Sequence, residues 1–399
     1  MKKSILAMAA IVMAITSCEL NEVTQFNSAG KAISFTATAG MQTKAQDIVA
    51  SGLECFVVEA FNEVAQAGDS YDTPYFSAVT FTGSGTPLVY NSANKYYWPA
   101  NNLDFYAYAF KNASGTWNTG DATIAKRDYR TFWVSPAADA SCSPDTQTDL
   151  LYACNLGLSR AGANAGSIAG AAPLNFRHAM SKIVVKVLNT SESLDFTVSG
   201  WRVGYLDTAA VFTYNGNENN PYAAATNGAG TLDAGMWSAN TDALATNHYT
   251  SDFTASAVNV KAGSSSASQL TGEMILIPQT TTAASAYSST AENALVNGSY
   301  IAAEIIIYNN ADATWDGSTM QSAGTVIQSK VWAIWPVALS WAPGKQYTYT
   351  IDLAGGGYFE QNTDDGDAEL DPILEGAVIR FATVTVDNWI EQPEAALYI

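Results

Sequence analysis

The sequence predicts an all-β protein built as two antiparallel β-sandwich domains in tandem. Composition points there first: 48% of residues are hydrophobic, only 14% are charged, and Gly and Tyr are plentiful. That balance suits strands and turns better than long helices. Second, short alternating segments recur between turn residues along the whole chain, the pattern of sandwiches and barrels. No stretch carries a 3.6-residue period, and none repeats at a solenoid spacing. Third, there is a seam. The Gly/Ala-rich run Arg160 to Pro173 buries little and reads as a linker. Beyond it, Ile183, Val185 and Val187 alternate with Lys182, Val184 and Lys186, which opens a new half-buried strand. The expected division is 32–172 and 173–399.

The N-terminus precedes the fold. Lys2 and Lys3 lead into an apolar run from Ile5 to Ile15, too short to span a bilayer as a stable helix. Ile15-Thr16-Ser17-Cys18 then places small residues before a cysteine, which resembles a bacterial lipoprotein processing site. Residues 1–18 are thus expected to be a signal peptide, Cys18 the lipidated first residue, and 19–31 a tether. Ala32 to Thr38 alternates and reads as the first strand. A loop from Ala39 to Asp47 follows, with Lys44 its one basic residue. Leu53 to Phe61 reads as a strand, Leu88 to Trp98 as a hairpin turning at Asn91 to Asn94, and Leu103 to Phe110 as an aromatic-rich strand. Thr131 to Val134 and Asp149 to Cys154 are shorter apolar runs. In the second half, strands are expected over Leu194 to Leu206, Ala209 to Tyr214, Phe253 to Val260, Gln269 to Ile277, Ser299 to Tyr308, Val326 to Trp335, Gln346 to Leu353 and Val378 to Trp389. Trp341 to Lys345 reads as a turn, and 215–250 as a long surface excursion.

The totals exclude several functions. The formal net charge is -19, and so acidic a surface repels nucleic acid and anionic lipid. Besides Cys18 there are three cysteines, Cys55, Cys142 and Cys154, and an odd count supplies no disulfide framework. Cys142 and Cys154 lie close enough in sequence to pair in an oxidising space. The preferred reading makes Cys55 and Cys154 buried thiols in apolar strands. There are two histidines, His178 and His248, and no CxxC, HExxH, G-x-S-x-G or phosphate-binding glycine pattern. No catalytic residue, metal ligand or cofactor site is expected. The acidic loop Asp364 to Asp371 lacks the order of a calcium-binding loop and reads as solvated. Trp98, Trp201, Trp332, Trp335 and Trp389 fall in strand patterns, so packing is their expected role. Trp117, Trp237 and Trp315 fall in Gly/Asn/Asp-rich stretches and are the candidate aromatics for contacting a ligand such as a glycan.

Several pieces follow one another in a characteristic order. They are Cys18, Ile33-Ser34-Phe35, Thr43-Lys44-Ala45, Trp98-Pro99, Leu103 to Tyr108, Asp149 to Ala153, Phe176-Arg177-His178-Ala179, Ile277-Pro278-Gln279, Trp341 to Tyr349 and Val384 to Trp389. This order resembles the fimbrillin (Mfa-like) family of Bacteroidota, which includes type V pilins and fimbrial lipoproteins. The resemblance implies two transthyretin-like β-sandwich domains, a lipid anchor in the outer membrane, surface display and assembly into fimbriae with other subunits. It also implies removal of the first strand by a protease, with the opened groove filled by a strand from another subunit. On this chain the lost strand would be Ala32 to Thr38 and the cut would fall between Lys44 and Ala45. The family usually has Arg at that place, whereas no Arg stands between Cys18 and Arg127. A Lys-tolerant protease is therefore required, or the chain serves uncut as an anchor or accessory subunit. Only ten residues follow Trp389, short for a donor strand. His178 is expected to make a structural hydrogen bond at the junction of the halves, and His248 to face solvent. The expected function is a fimbrial subunit or accessory adhesin; the alternative is a glycan-binding surface lipoprotein that never polymerises.

Overall fold

In a computed structural model of the chain, the described residues are 31–39, 53–63, 73–85, 88–112, 117–118, 124–128, 130–135, 147–160, 171–213, 237–239, 248–287, 295–296, 298–361 and 368–388. The first half contributes β1 (Phe35–Ala39), β2 (Cys55–Asn62), β3 (Pro74–Ser84), β4 (Val89–Ser92), β5 (Leu103–Asn112), β6 (Trp117–Asn118), β7 (Ile124–Lys126), β8 (Thr131–Val134), β9 (Thr148–Leu158) and β10 (Ala172–His178). Seven of these hydrogen-bond in succession, β1-β4-β3-β2-β5-β9-β10, and β10 returns to β1. Where two sheets with free edges were expected, the pairing of β2 with both β3 and β5 joins them into one ring. Alternate side chains of the ring point inward and form one aromatic-rich core.

β5 explains itself. Leu103, Phe105, Ala107 and Ala109 face the interior, while Tyr106, Tyr108 and Phe110 face a second core outside the ring. Buried on both faces, the strand reads from Phe105 to Phe110 as an unbroken apolar and aromatic run. β3 escapes the sequence reading for a physical reason. Phe76 and Phe81 both point inward although five residues apart, an odd spacing that strict alternation forbids. Its pairing with β2 shifts register between Val58 and Ala60, and Ala78 takes a left-handed φ of 51°. That irregularity adds the residue that restores the inward face.

The second half contributes β11 (Ser181–Asn189), β12 (Leu194–Gly204), β13 (Ala210–Thr213), β14 (Trp237–Ala239), β15 (His248–Asp252), β16 (Val258–Val260), β17 (Ser264–Gln269), β18 (Met274–Leu276), β19 (Ala286–Tyr287), β20 (Leu295–Val296), β21 (Tyr300–Asn309), β22 (Thr314–Asp316), β23 (Thr319–Ser322), β24 (Val326–Pro336), β25 (Lys345–Asp352), β26 (Tyr358–Phe359) and β27 (Phe381–Asn388). One sheet runs β17-β11-β25-β27, with β18 also on β11; another runs β15-β12-β21-β24-β26, with β16 on β12. Their inner faces share a core. Ile183, Val185 and Val187 come from the first sheet; Phe196, Val198 and Trp201 come from the second. β27 is the outermost strand of its sheet. Its Val384 and Val386 stand in register with Tyr349 and Tyr347 yet are 47% and 55% exposed.

The seam differs from expectation. Ala171, Ala172 and Pro173, read as the end of a linker, belong to the ring: Ala171 and Ala172 are fully buried, and Ala172–His178 is a strand parallel to β1. The chain leaves the ring for the sheet of β11 across Ala179 and Met180. Beyond it, β13 pairs back onto β8, giving a four-stranded sheet β14-β13-β8-β7 drawn from both halves. Its Phe132, Val134, Ala210 and Phe212 cover the outer face of β2, β5 and β9. The junction is tied by short bonds: Ala179 N donates to the Leu150 carbonyl at 2.8 Å, and Gly344 N to the Met180 carbonyl at 2.8 Å. Gly344 has φ of +67°, which its place in the predicted Trp341–Lys345 turn requires.

The candidate site is the slot filled by the first strand

β1 is one stave of a closed ring, so what it covers would become a slot if it left. Alternation sets its two faces. Ile33, Phe35 and Ala37 are 2%, 0% and 5% exposed, while Ser34 and Thr36 are half-buried. Phe35 is the plug. Its ring meets Phe81 at 4.7 Å, Phe105 at 5.1 Å and Phe56 at 6.0 Å, all edge-on. Edge-to-face contact is the favoured geometry for paired aromatic quadrupoles. Around them, Phe56 meets Tyr90 at 4.7 Å and Phe176 at 5.0 Å. Tyr90 Oη donates to the Leu53 carbonyl at 2.7 Å, and burial raises the pKa of its hydroxyl. The ring of Tyr90 crosses Gly83 so closely that a Cβ there would come within 2.9 Å of it.

Backbone bonds hold β1 on both sides. On one, Phe35 to Ala39 run parallel to Ala172 to Phe176. On the other, Phe35 pairs with Tyr90, Ala32 bridges Tyr97, and Ile33 N donates to the Tyr96 carbonyl at 2.7 Å. Leu88 to Trp98 was expected to pair with itself as a hairpin. Instead both of its arms lie along the first strand, with the turn at Ser92 to Asn94 as the joint. If β1 were withdrawn, β4 and β10 would each present an unpaired edge on either side of an aromatic trough.

The remaining expected residues fall as follows. Cys18, Lys44 and Ala45 lie outside the described residues, as do Cys142, Trp389 and Asp364 to Asp367 of the acidic loop. Trp117 belongs to β6, in backbone register with Lys111 of β5. Trp237 and Trp315, expected in loops, are in strands and half-buried. The Trp237 Nε1 donates to the Ala179 carbonyl at 2.9 Å, and the Trp315 Nε1 to Asp195 at 3.0 Å. Both indoles therefore spend their one donor inside the fold. His178, buried at the end of β10, bonds through Nδ1 to Asp149 Oδ2 at 2.6 Å, which ties β10 to β9 beside the junction. His248, expected in solvent, is half-buried in β15 and pairs with Gly204. Cys154 is buried and Cys55 half-buried; burial pushes the Cys55 thiol pKa upward, as an unreactive core cysteine requires. Among the described residues no group of three or more His, Cys, Asp or Glu is arranged to hold a metal.

The fold and the slot can be set beside known proteins. A fimbrial protein from Bacteroides vulgatus superposes with a TM-score of 0.50 at 15% identity, covering 90% of this chain and 99% of that one. Candidate cell adhesion proteins from Bacteroides ovatus and Bacteroides uniformis give TM-scores of 0.42 and 0.41 at 12% and 13% identity, each covering 92% of this chain and all of theirs. No curated protein matches the chain. At 15% identity the likeness to the Bacteroides vulgatus protein is one of fold alone. A sequence profile described as fimbrillin-like matches residues 43–389, a span that takes in every strand from β2 to β27, and the chain therefore belongs to the fimbrillin-like family.

Proposed function

We propose that this chain is a surface-displayed fimbrial subunit or accessory adhesin, structural rather than enzymatic, that accepts a strand from another subunit in the slot now filled by β1. Cys18 carries the lipid that anchors it in the outer membrane, and cleavage between Lys44 and Ala45 releases the first strand. The observation that carries the reading is the position of β1. It lies near the N-terminus, closes a ring, and seats its central side chain in an aromatic trough. An occupant supplied from outside would restore the same backbone bonds and the same burial, which is β-augmentation. The reading takes the chain as two tandem transthyretin-like domains and draws their division at Ala179–Met180, a choice supported by the bonding of β10 to β1 and β9. The alternative of glycan binding through Trp117, Trp237 and Trp315 draws less support, since the indole N–H groups of Trp237 and Trp315 are taken internally.

The test is intact mass and N-terminal sequencing of protein recovered from the cell surface. An unlipidated N-terminus at Ala45 is the expected result for an assembling subunit. A lipidated Cys18 with no shorter species would overturn removal of the first strand.

A further inference from the structure

We infer that β10 selects the register of the strand in the slot by a gradient of side-chain size, and so defines its partner: an extended apolar segment whose inward residues taper in the opposite order. The inference rests on the strand-exchange reading. Along β10 the inward residues are Ala172, Leu174 and Phe176, all 1% exposed or less, so they grow from methyl to phenyl. Along β1 the neighbours in register shrink. Phe35 stands beside Ala172, Ala37 stands beside Leu174, and Ala39 is in register with Phe176. Ile33 precedes them, 2% exposed. The small Ala172 leaves the room in which Phe35 reaches Phe81 and Phe105. At the other end Phe176 already fills the interior, 5.0 Å from Phe56.

A strand that slips by two residues in one direction would set Phe35 against Leu174, and one that slips by two in the other would leave only Ala37 in the space beside Ala172. Overpacking and cavity formation both oppose that, whereas backbone pairing alone is indifferent to such a slip. An occupant running parallel to β10 must therefore read large, aromatic, small on its inward face. One running antiparallel must read small, aromatic, large.

The test uses the chain cut after Lys44, separated from residues 1–44 in denaturant and refolded in the presence of labelled peptides. One peptide has the sequence of residues 31–39; the other has it with Phe35 and Ala37 exchanged. The native peptide should enter the slot, and the exchanged one should bind roughly tenfold more weakly or worse. Equal binding of the two would overturn the size gradient while leaving strand exchange intact. Binding of neither would overturn strand exchange, and the partner assignment with it. A second measurement on the uncut chain bears on the gradient alone. Ala37→Phe should lower the melting temperature, and adding Leu174→Ala should recover part of that loss. A double variant no better than the sum of its parts would refute the gradient.

Discussion

Replacing Phe35 with Ala should cost the N-terminal ring more than any other single truncation in its first strand. Phe35 is wholly buried and meets three rings edge-on at 4.7, 5.1 and 6.0 Å. Truncation removes those contacts and leaves a cavity whose nearest neighbour along β10 is the methyl of Ala172, too short to collapse into it. A Phe→Ala change in such a core costs about 3–5 kcal/mol, and here the upper half of that range applies. For a unit of this size the corresponding drop in Tm is roughly 10 °C. The assay is equilibrium urea unfolding followed by near-ultraviolet circular dichroism, which reads aromatic packing. Thr36→Ala, on the half-buried face one residue away, is the control, with an expected loss under about 1 kcal/mol. If Phe35→Ala lost no more than Thr36→Ala, the trough would not depend on its plug and the argument for a slot would fail.

Three further outcomes follow from the same structure. His178→Ala leaves the buried Asp149 side chain without its 2.6 Å partner, and its Oδ1 already has none among the described residues; leaving a buried hydrogen-bonding group unsatisfied costs about 1–3 kcal/mol, measurable by urea unfolding, with His178→Asn recovering part by keeping a donor. Burial pushes the hydroxyl pKa values of Tyr287 and Tyr349 up to about 12. The folded state thus holds these protons more tightly than the unfolded chain, where tyrosine titrates near pH ~10. Their contribution is fully present below that pH and is lost between it and pH ~12, so alkaline titration should show tyrosinate absorbance rising together with loss of tertiary structure; ionisation of both well before unfolding would contradict their burial. Ala78, held at φ 51° in β3, should tolerate glycine and gain up to about 1 kcal/mol, whereas Ala78→Val should lose more than that, as thermal melts would report.

Much of this protein is determined locally and can be read without coordinates. Alternation in Ile33-Ser34-Phe35-Thr36-Ala37 identifies β1 and its buried face, because a strand buries one face and wets the other. The double-sided burial of β5 follows from its apolar and aromatic run Phe105 to Phe110, and the fimbrillin-like family from the order of its short motifs. His178 at the junction was legible for the same reason. Other features rest on partners remote in sequence. Nothing in Thr131 to Val134 or Ala210 to Thr213 announces that the two pair across the seam. Nothing in Ala172-Pro173-Leu174 distinguishes a strand from the end of a linker, since small residues suit both until Phe35 lies beside them. Trp237 and Trp315 stand among turn residues, and only the carbonyl of Ala179 and the carboxylate of Asp195 turn their indoles inward. β3 was hidden by its own irregularity, because one inserted residue erases the period on which a strand is recognised. Local preference sets which segments are strands and which faces are apolar; long-range pairing decides which strands meet, and it alone made a closed ring that includes the first strand.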